Sequence, residues 1–190
     1  MLTVFDFLAE VEQRPEMYFS RLRDLESTLH GYCAALSHHS IDEGVPHMLH
    51  FAEWLRRETG WSMSCGWSAA FDEHVPHDEH TRRLFGFMAR FKTLRPATVA
   101  SVDLEDRHQP TGKRVVIGFD GRVERPDRIE IVRYQPEPLH YMRFSYPTHT
   151  EVARILMVNR PNGTLDAETD LDDAKGWVAA EFQVEAQDWN

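Results

Sequence analysis

The spacing of apolar residues changes near the middle of this chain, and that change restricts the folds open to it. Up to Leu94, Trp61 to Phe71 apart, the apolar residues recur three and four apart, the period of an amphipathic helix; from Thr98 to Tyr146 they alternate, the period of a strand. Helices first and strands second is the pattern of an α+β domain in which helices cover one face of an antiparallel sheet. The 190 residues suffice for one substantial core. We therefore expect a single domain over 1–190, mainly helical over 1–95 and strand-rich over 96–190, with about four strands and one or two further helices at the C-terminal end.

Within the first half, Val4, Phe5, Leu8 and Val11 place a helix from Leu2 to Gln13, ended by Pro15. Leu22, Leu25, Leu29, Tyr32, Cys33 and Leu36 place a second from Leu22 to Ser40, with Met17 and Tyr18 expected to lock the two together. After the Gly44-Val45-Pro46 break, a third helix runs from His47 to Thr59, and Gly60 supplies its stop. Trp61 to Phe71 suits a short buried strand or an ordered loop. Asp72 to His80 is a polar break, and Thr81 to Leu94 is again helical, with Leu84, Phe85, Phe87, Met88 and Phe91 facing a core.

In the second half, Thr98 to Leu104, Arg114 to Phe119, Arg128 to Tyr134 and Leu139 to Tyr146 read as strands, and short links make the last two pairs antiparallel. Thr148 to Val158 is expected to be a helix capped by Thr148 or Thr150 and stopped at Pro161-Asn162-Gly163. Asp170 to Gln187 reads either as a helix opened by Asp172 and Asp173 or, by the alternation from Trp177 to Val184, as a strand.

The net charge is -10, which disfavours nucleic acid and anionic membrane surfaces as partners. It is unevenly spread: residues 161–190 hold 1 basic against 8 acidic side chains. Asp166, Glu168, Asp170, Asp172 and Asp173 are accordingly the first candidates for a partner-binding surface, and the acidic segment 72–79 is the second. No apolar run approaches the ~18 residues that span a bilayer, and the N-terminus has no secretory pattern. The expected location is the cytoplasm. Cys33 and Cys65, in unlike contexts, read as two small buried hydrophobes.

A metal is the competing possibility. Residues 72–80 bring three imidazoles and four carboxylates into nine positions, with His74, His77 and His80 as candidate ligands. The acids there also suit the start of a helix at Pro76. The run from Asp166 to Asp172 imitates a calcium loop, but Leu171 stands where the turn glycine belongs and Trp177 where the closing glutamate belongs. No phosphate-binding glycine motif or nucleophile motif occurs, so no catalytic residue and no cofactor are expected.

Arg14-Pro15-Glu16-Met17-Tyr18, with Ser40-Ile41-Asp42-Glu43 downstream, resembles the opening of the GHKL-type ATPase domain of the DNA gyrase B subunit. The positions of that family's catalytic glutamate, aspartate and asparagine fall on Ala35, His38 and His39, which leaves no base to activate water. ATP hydrolysis by that route is not expected. The same Arg14 to Tyr18 stretch, with Gly31-Tyr32, Trp61 and Leu84 to Phe91, also resembles small bacterial RPxMY proteins, some of them immunity proteins of polymorphic toxin systems. That resemblance implies a helical scaffold and a binding role. The expectation is a non-enzymatic, acidic, immunity-like domain that masks a protein partner such as a basic toxin; the alternative is a metal-binding protein or metal-dependent hydrolase.

Overall fold

A computed structural model describes residues 3–108, 116–117, 123–159, 165–166 and 170–190. By its internal contacts the chain divides into two compact units, Met1–Leu36 with Asp42–Arg95 and Ser37–Ile41 with Pro96–Asn190. The α+β class is as expected: helices come first, then a four-stranded antiparallel sheet with a helix after it.

The first unit carries α1 (Val4–Gln13), most of α2 (Leu22–His38), α3 (Phe51–Thr59), α4 (Trp67–His74) and α5 (His80–Phe91). A capping box opens α1: the Asp6 amide donates to the Thr3 hydroxyl, and the Thr3 amide donates back to Asp6 at 2.7 Å. Val4, Phe5, Leu8 and Val11 of α1 and Leu22, Leu25, Leu29, Cys33 and Leu36 of α2 are buried, as their spacing requires. Phe51 forms an aromatic hub, with ring centroids 5.9 Å from Trp54, 5.8 Å from Trp67 and 5.5 Å from Phe91. Stacked and edge-to-face pairs of this kind add about 1 kcal/mol each beyond their buried area. Gly60 ends α3 in the left-handed region at φ 74°, where a side chain would be strained.

Two side chains tie distant parts of this unit together. Glu43 accepts from the Val4 amide at 3.0 Å and from the Tyr32 hydroxyl, so it joins the start of α1 to α2. Burial and that bond push the Tyr32 hydroxyl up to about 12. Glu26 of α2 is buried and reaches α4, where it accepts from the Trp67 amide at 2.9 Å, the Ser68 amide at 3.3 Å and the Ser68 hydroxyl. It caps a helix that its own chain neighbours do not cap.

In the second unit the strands are β1 (Arg95–Asp103), β2 (Val116–Ile117), β3 (Val123–Glu124), β4 (Arg128–Gln135), β5 (His140–Ser145), β6 (Thr150–Ile155), β7 (Val158–Asn159) and β8 (Leu165–Asp166). The main sheet has the order β1-β4-β5-β6, with β2-β3 and β7-β8 as separate two-stranded ladders. Ile129, Ile131, Met142 and Phe144 share one face through the register Ile129↔Phe144 and Ile131↔Met142. Against that face packs α6 (Leu171–Phe182), through Ala174, Val178 and Phe182. The C-terminal Asn190 pairs both ways with Ser101, at 2.9 and 3.2 Å, and so occupies backbone groups of β1.

Several expectations need correction. Thr148 to Val158 is not a helix: it holds β6 and β7, and neither Thr148 nor Thr150 is a cap. The β-branched Thr150, Val152 and Ile155 pair with Ser145, Arg143 and Tyr141, with a bulge between the last two pairs. Pro147 lies in the intervening turn, which the Tyr146 amide closes on the His149 carbonyl at 2.8 Å. Trp61 to Phe71 is neither a strand nor wholly a loop, because α4 begins at Trp67. Cys33 is buried but Cys65 is exposed. Met17, expected to lock two helices together, is 68% exposed, and Tyr18 is 45% exposed, its ring edge-on to Phe7 at 5.8 Å. The segment Asp170 to Gln187 resolves in favour of a helix, α6, followed by a short 3-10 turn, Ala186–Asp188. Of Arg114 to Phe119, only the two residues of β2 lie among the described residues; Pro161-Asn162-Gly163 lies outside them.

Candidate functional site

An amphipathic helix on a sheet must turn its charged residues outward, and α6 does so at its first turn. Asp170 is the cap, its Oδ1 accepting from the Asp173 amide at 2.7 Å. Asp170, Asp172 and Asp173 are all exposed, while Ala174, Val178 and Phe182 anchor the opposite face in the core. The helix dipole favours three carboxylates at this end, so their crowding is tolerated. Asp166 lies in β8, where only the backbone is described, and Glu168 lies outside the described residues. The structure therefore gathers three of the five proposed acidic residues on one turn of a packed helix.

The histidines of the segment take different partners. The His74 ring stacks on Trp61 at 5.0 Å. His80 is buried, its Nε2 2.9 Å from the Val75 carbonyl and its Nδ1 3.7 Å from Asp72. His77 is exposed, with its ring 5.0 Å from that of His80. Among the described residues, no three His, Cys, Asp or Glu side chains stand together as they would around a metal ion. Asp72, Glu73 and Asp78 are exposed, and Glu79 bonds Arg82 and Arg83, both at 2.9 Å.

A histidine-aspartate pair that sequence reasoning missed lies elsewhere in the second unit. His108 is 1% exposed. Its Nδ1 accepts from the Glu105 amide at 2.9 Å, so the proton sits on Nε2, 3.1 Å from Asp188 Oδ2. Both ring nitrogens are engaged, which leaves none to act as a general base. Asp188 also accepts from the Glu185 amide at 2.8 Å and from Arg107. Those bonds, the Glu185 amide first, hold its carboxyl down at about 2. The pair is a clasp for the C-terminal segment. Asp188→Asn is expected to speed hydrogen exchange at the Asn190 and Ser101 amides, read by mass spectrometry; unchanged exchange would show that the clasp does not hold that end.

Sequence reasoning placed a core-facing helix at α5 and missed its outer side. Phe87, expected in the core, is only half-buried, and it lines a groove of about 340 Å³ with Arg82, Arg83, Gly86 and Arg90. The signal was present: α5 holds three arginines and no acid in a chain of net charge -10. Comparison of the chain with known protein families, with curated proteins and with solved structures finds no match.

Proposed function

We propose that this chain is a non-enzymatic protein-binding domain that presents an acidic surface to a basic partner. The carrying observation is the exposed first turn of α6, where Asp170, Asp172 and Asp173 sit on a helix whose other face is fixed in a core. A rigid element with like charges at one end steers an oppositely charged partner and selects against wrong ones. The Arg14 to Tyr18 stretch adds an exposed Met17-Tyr18 pair, and aromatic residues and methionine are enriched where proteins meet. Together with the resemblance to RPxMY proteins, this supports an immunity-like role: masking a basic bacterial toxin in the cytoplasm. Among the described residues no helix is long and apolar enough to cross a membrane.

The test is affinity capture from cells of the source organism, with wild-type protein and Asp172→Asn/Asp173→Asn as parallel baits. These substitutions keep the Asp170 cap, so helix α6 should persist. A basic protein is expected on the wild-type bait, with recovery on the neutralised bait reduced by about tenfold, which corresponds to roughly 1.4 kcal/mol. Equal recovery on both baits would remove α6 from the reading.

A further inference from the structure

We infer that α5 carries a second binding site, opposite in sign to the first, that takes an extended acidic peptide segment of a partner protein. Arg82, Gly86 and Arg90 fall at intervals of four residues along α5, so they line one side of the helix, and the two arginines are about 12 Å apart along its axis. Gly86 lies midway, and a Cβ placed there would meet nothing within 4 Å. Beside it, Phe87 forms an apolar floor that continues into Trp54, at 6.4 Å between ring centroids. The Arg90 guanidinium lies over both rings, at 5.5 Å from Trp54 and 6.0 Å from Phe87. The groove thus has a cationic group at each end and an apolar middle.

The protein's own carboxylates show what these guanidinium groups donate to. Glu79 bonds Arg82 and Arg83, and Glu58 bonds Arg90. Each guanidinium has five donors, so it can hold a second carboxylate beside the first. In an extended peptide, side chains four residues apart point the same way and stand about 13 Å apart, with the residue between them also on that side. A sequence of the form acid-x-apolar-x-acid therefore matches Arg82, the Gly86-Phe87 floor and Arg90 in order. The rim is open, with the three arginine side chains 75%, 53% and 60% exposed. Such a rim does not enclose a small molecule, which ordinarily loses 70–90% or more of its surface on binding (roughly). The apolar floor between the two cationic ends favours a peptide that places an apolar side chain there over a phosphate backbone, which is charged along its whole length.

The experiment is selection of a displayed random peptide library on the intact protein, followed by titration of the enriched peptides as synthetic, labelled probes. Acidic peptides with the acid-x-apolar-x-acid pattern are expected, binding more weakly as salt rises. Two variants check the site. Arg82→Glu/Arg83→Glu reverses charge at exposed positions, and Gly86→Leu fills the open middle of the groove while favouring the helix. Each is expected to weaken those peptides at least about tenfold, with the melting temperature of Gly86→Leu no lower than that of the wild type. Absence of the acidic pattern, or equal affinity for the wild type and both α5 variants, would overturn the inference. So would a short single-stranded oligonucleotide that bound the wild type and lost affinity in both.

Discussion

Replacing Glu26 with alanine is expected to destabilise the protein by roughly 4 kcal/mol, since each buried donor left unpaired costs about 1–3 kcal/mol. Three donors depend on this carboxylate: the Trp67 amide, the Ser68 amide and the Ser68 hydroxyl. All lie at the start of α4, where Gly66 provides no side-chain cap. The carboxylate also lies at the positive end of that helix. In a chain of this length the loss corresponds to a fall of roughly 8–16 °C in melting temperature. Glu26→Gln keeps an acceptor oxygen and should lose about half as much. A melting temperature for Glu26→Ala within about 2 °C of the wild type would show that α4 does not need this cap.

Gly66 is bound to the same device. Its φ is 90°, and a Cβ there would stand 2.6 Å from Glu26 Oε1. Gly66→Ala must therefore strain the backbone and push the carboxylate off its donors, at a combined cost of roughly 3 kcal/mol. Because Glu26→Ala removes the atom that clashes, the double variant should lose less than the two singles added, by about 1–2 kcal/mol.

The second large effect is acid sensitivity through His47. This side chain begins the 3-10 turn Met48–His50, its Nδ1 accepting from the Leu49 amide at 3.4 Å. Burial lowers its pKa to about 4, with Asp42 opposing in part. Between pH 6.5 and 4 the unfolded chain binds a proton at His47 that the folded chain does not. Its contribution to stability is therefore complete above about pH 6.5 and falls as the pH drops to 4, by roughly 3 kcal/mol in all. Urea unfolding at pH 7, 5.5 and 4 is expected to show this slope, and His47→Asn, which keeps an acceptor for the Leu49 amide, should flatten it. Equal slopes for the two proteins would contradict the assignment. Below about pH 4 a further loss is expected as Asp188, held near 2, is protonated.

What could be read from the sequence was whatever a short window determines. Leu25, Leu29 and Cys33 repeat at helical spacing, Gly60 stops α3, and Ile129, Ile131, Met142 and Phe144 alternate on strands joined by a short turn. The errors came where the spacing of apolar residues does not decide. Helix α4 is started by Glu26, 41 residues before Trp67, so nothing next to Trp67 announces it. β6 pairs with β5, and the ladder outweighs the cap-like Thr148 and Thr150. Met17 sits in the 3-10 turn Pro15–Met17, where helical spacing no longer indicates which side faces inward.

The same division holds for the candidate sites. Asp170, Asp172 and Asp173 were legible because acids favour a helix start and an amphipathic helix turns them to solvent. His74, His77 and His80 are close in sequence, yet two of them are engaged elsewhere, His74 by stacking on Trp61 and His80 by a bond to the Val75 carbonyl. The α5 groove was hidden because Phe87 has the composition of a core residue. Leu84, Phe85, Met88 and Phe91 already fill the inner side of that helix.

The central claim is that the acidic turn of α6 binds a basic protein. Its most direct test is calorimetric titration of the captured partner into wild-type protein and into Asp172→Asn/Asp173→Asn, at about 0.05 M and about 0.5 M salt, where screening lengths differ about threefold. The expected result is a 1:1 complex that weakens at least about tenfold on neutralisation and loses most of that difference at high salt. Equal affinity of the two proteins at low salt would contradict the claim.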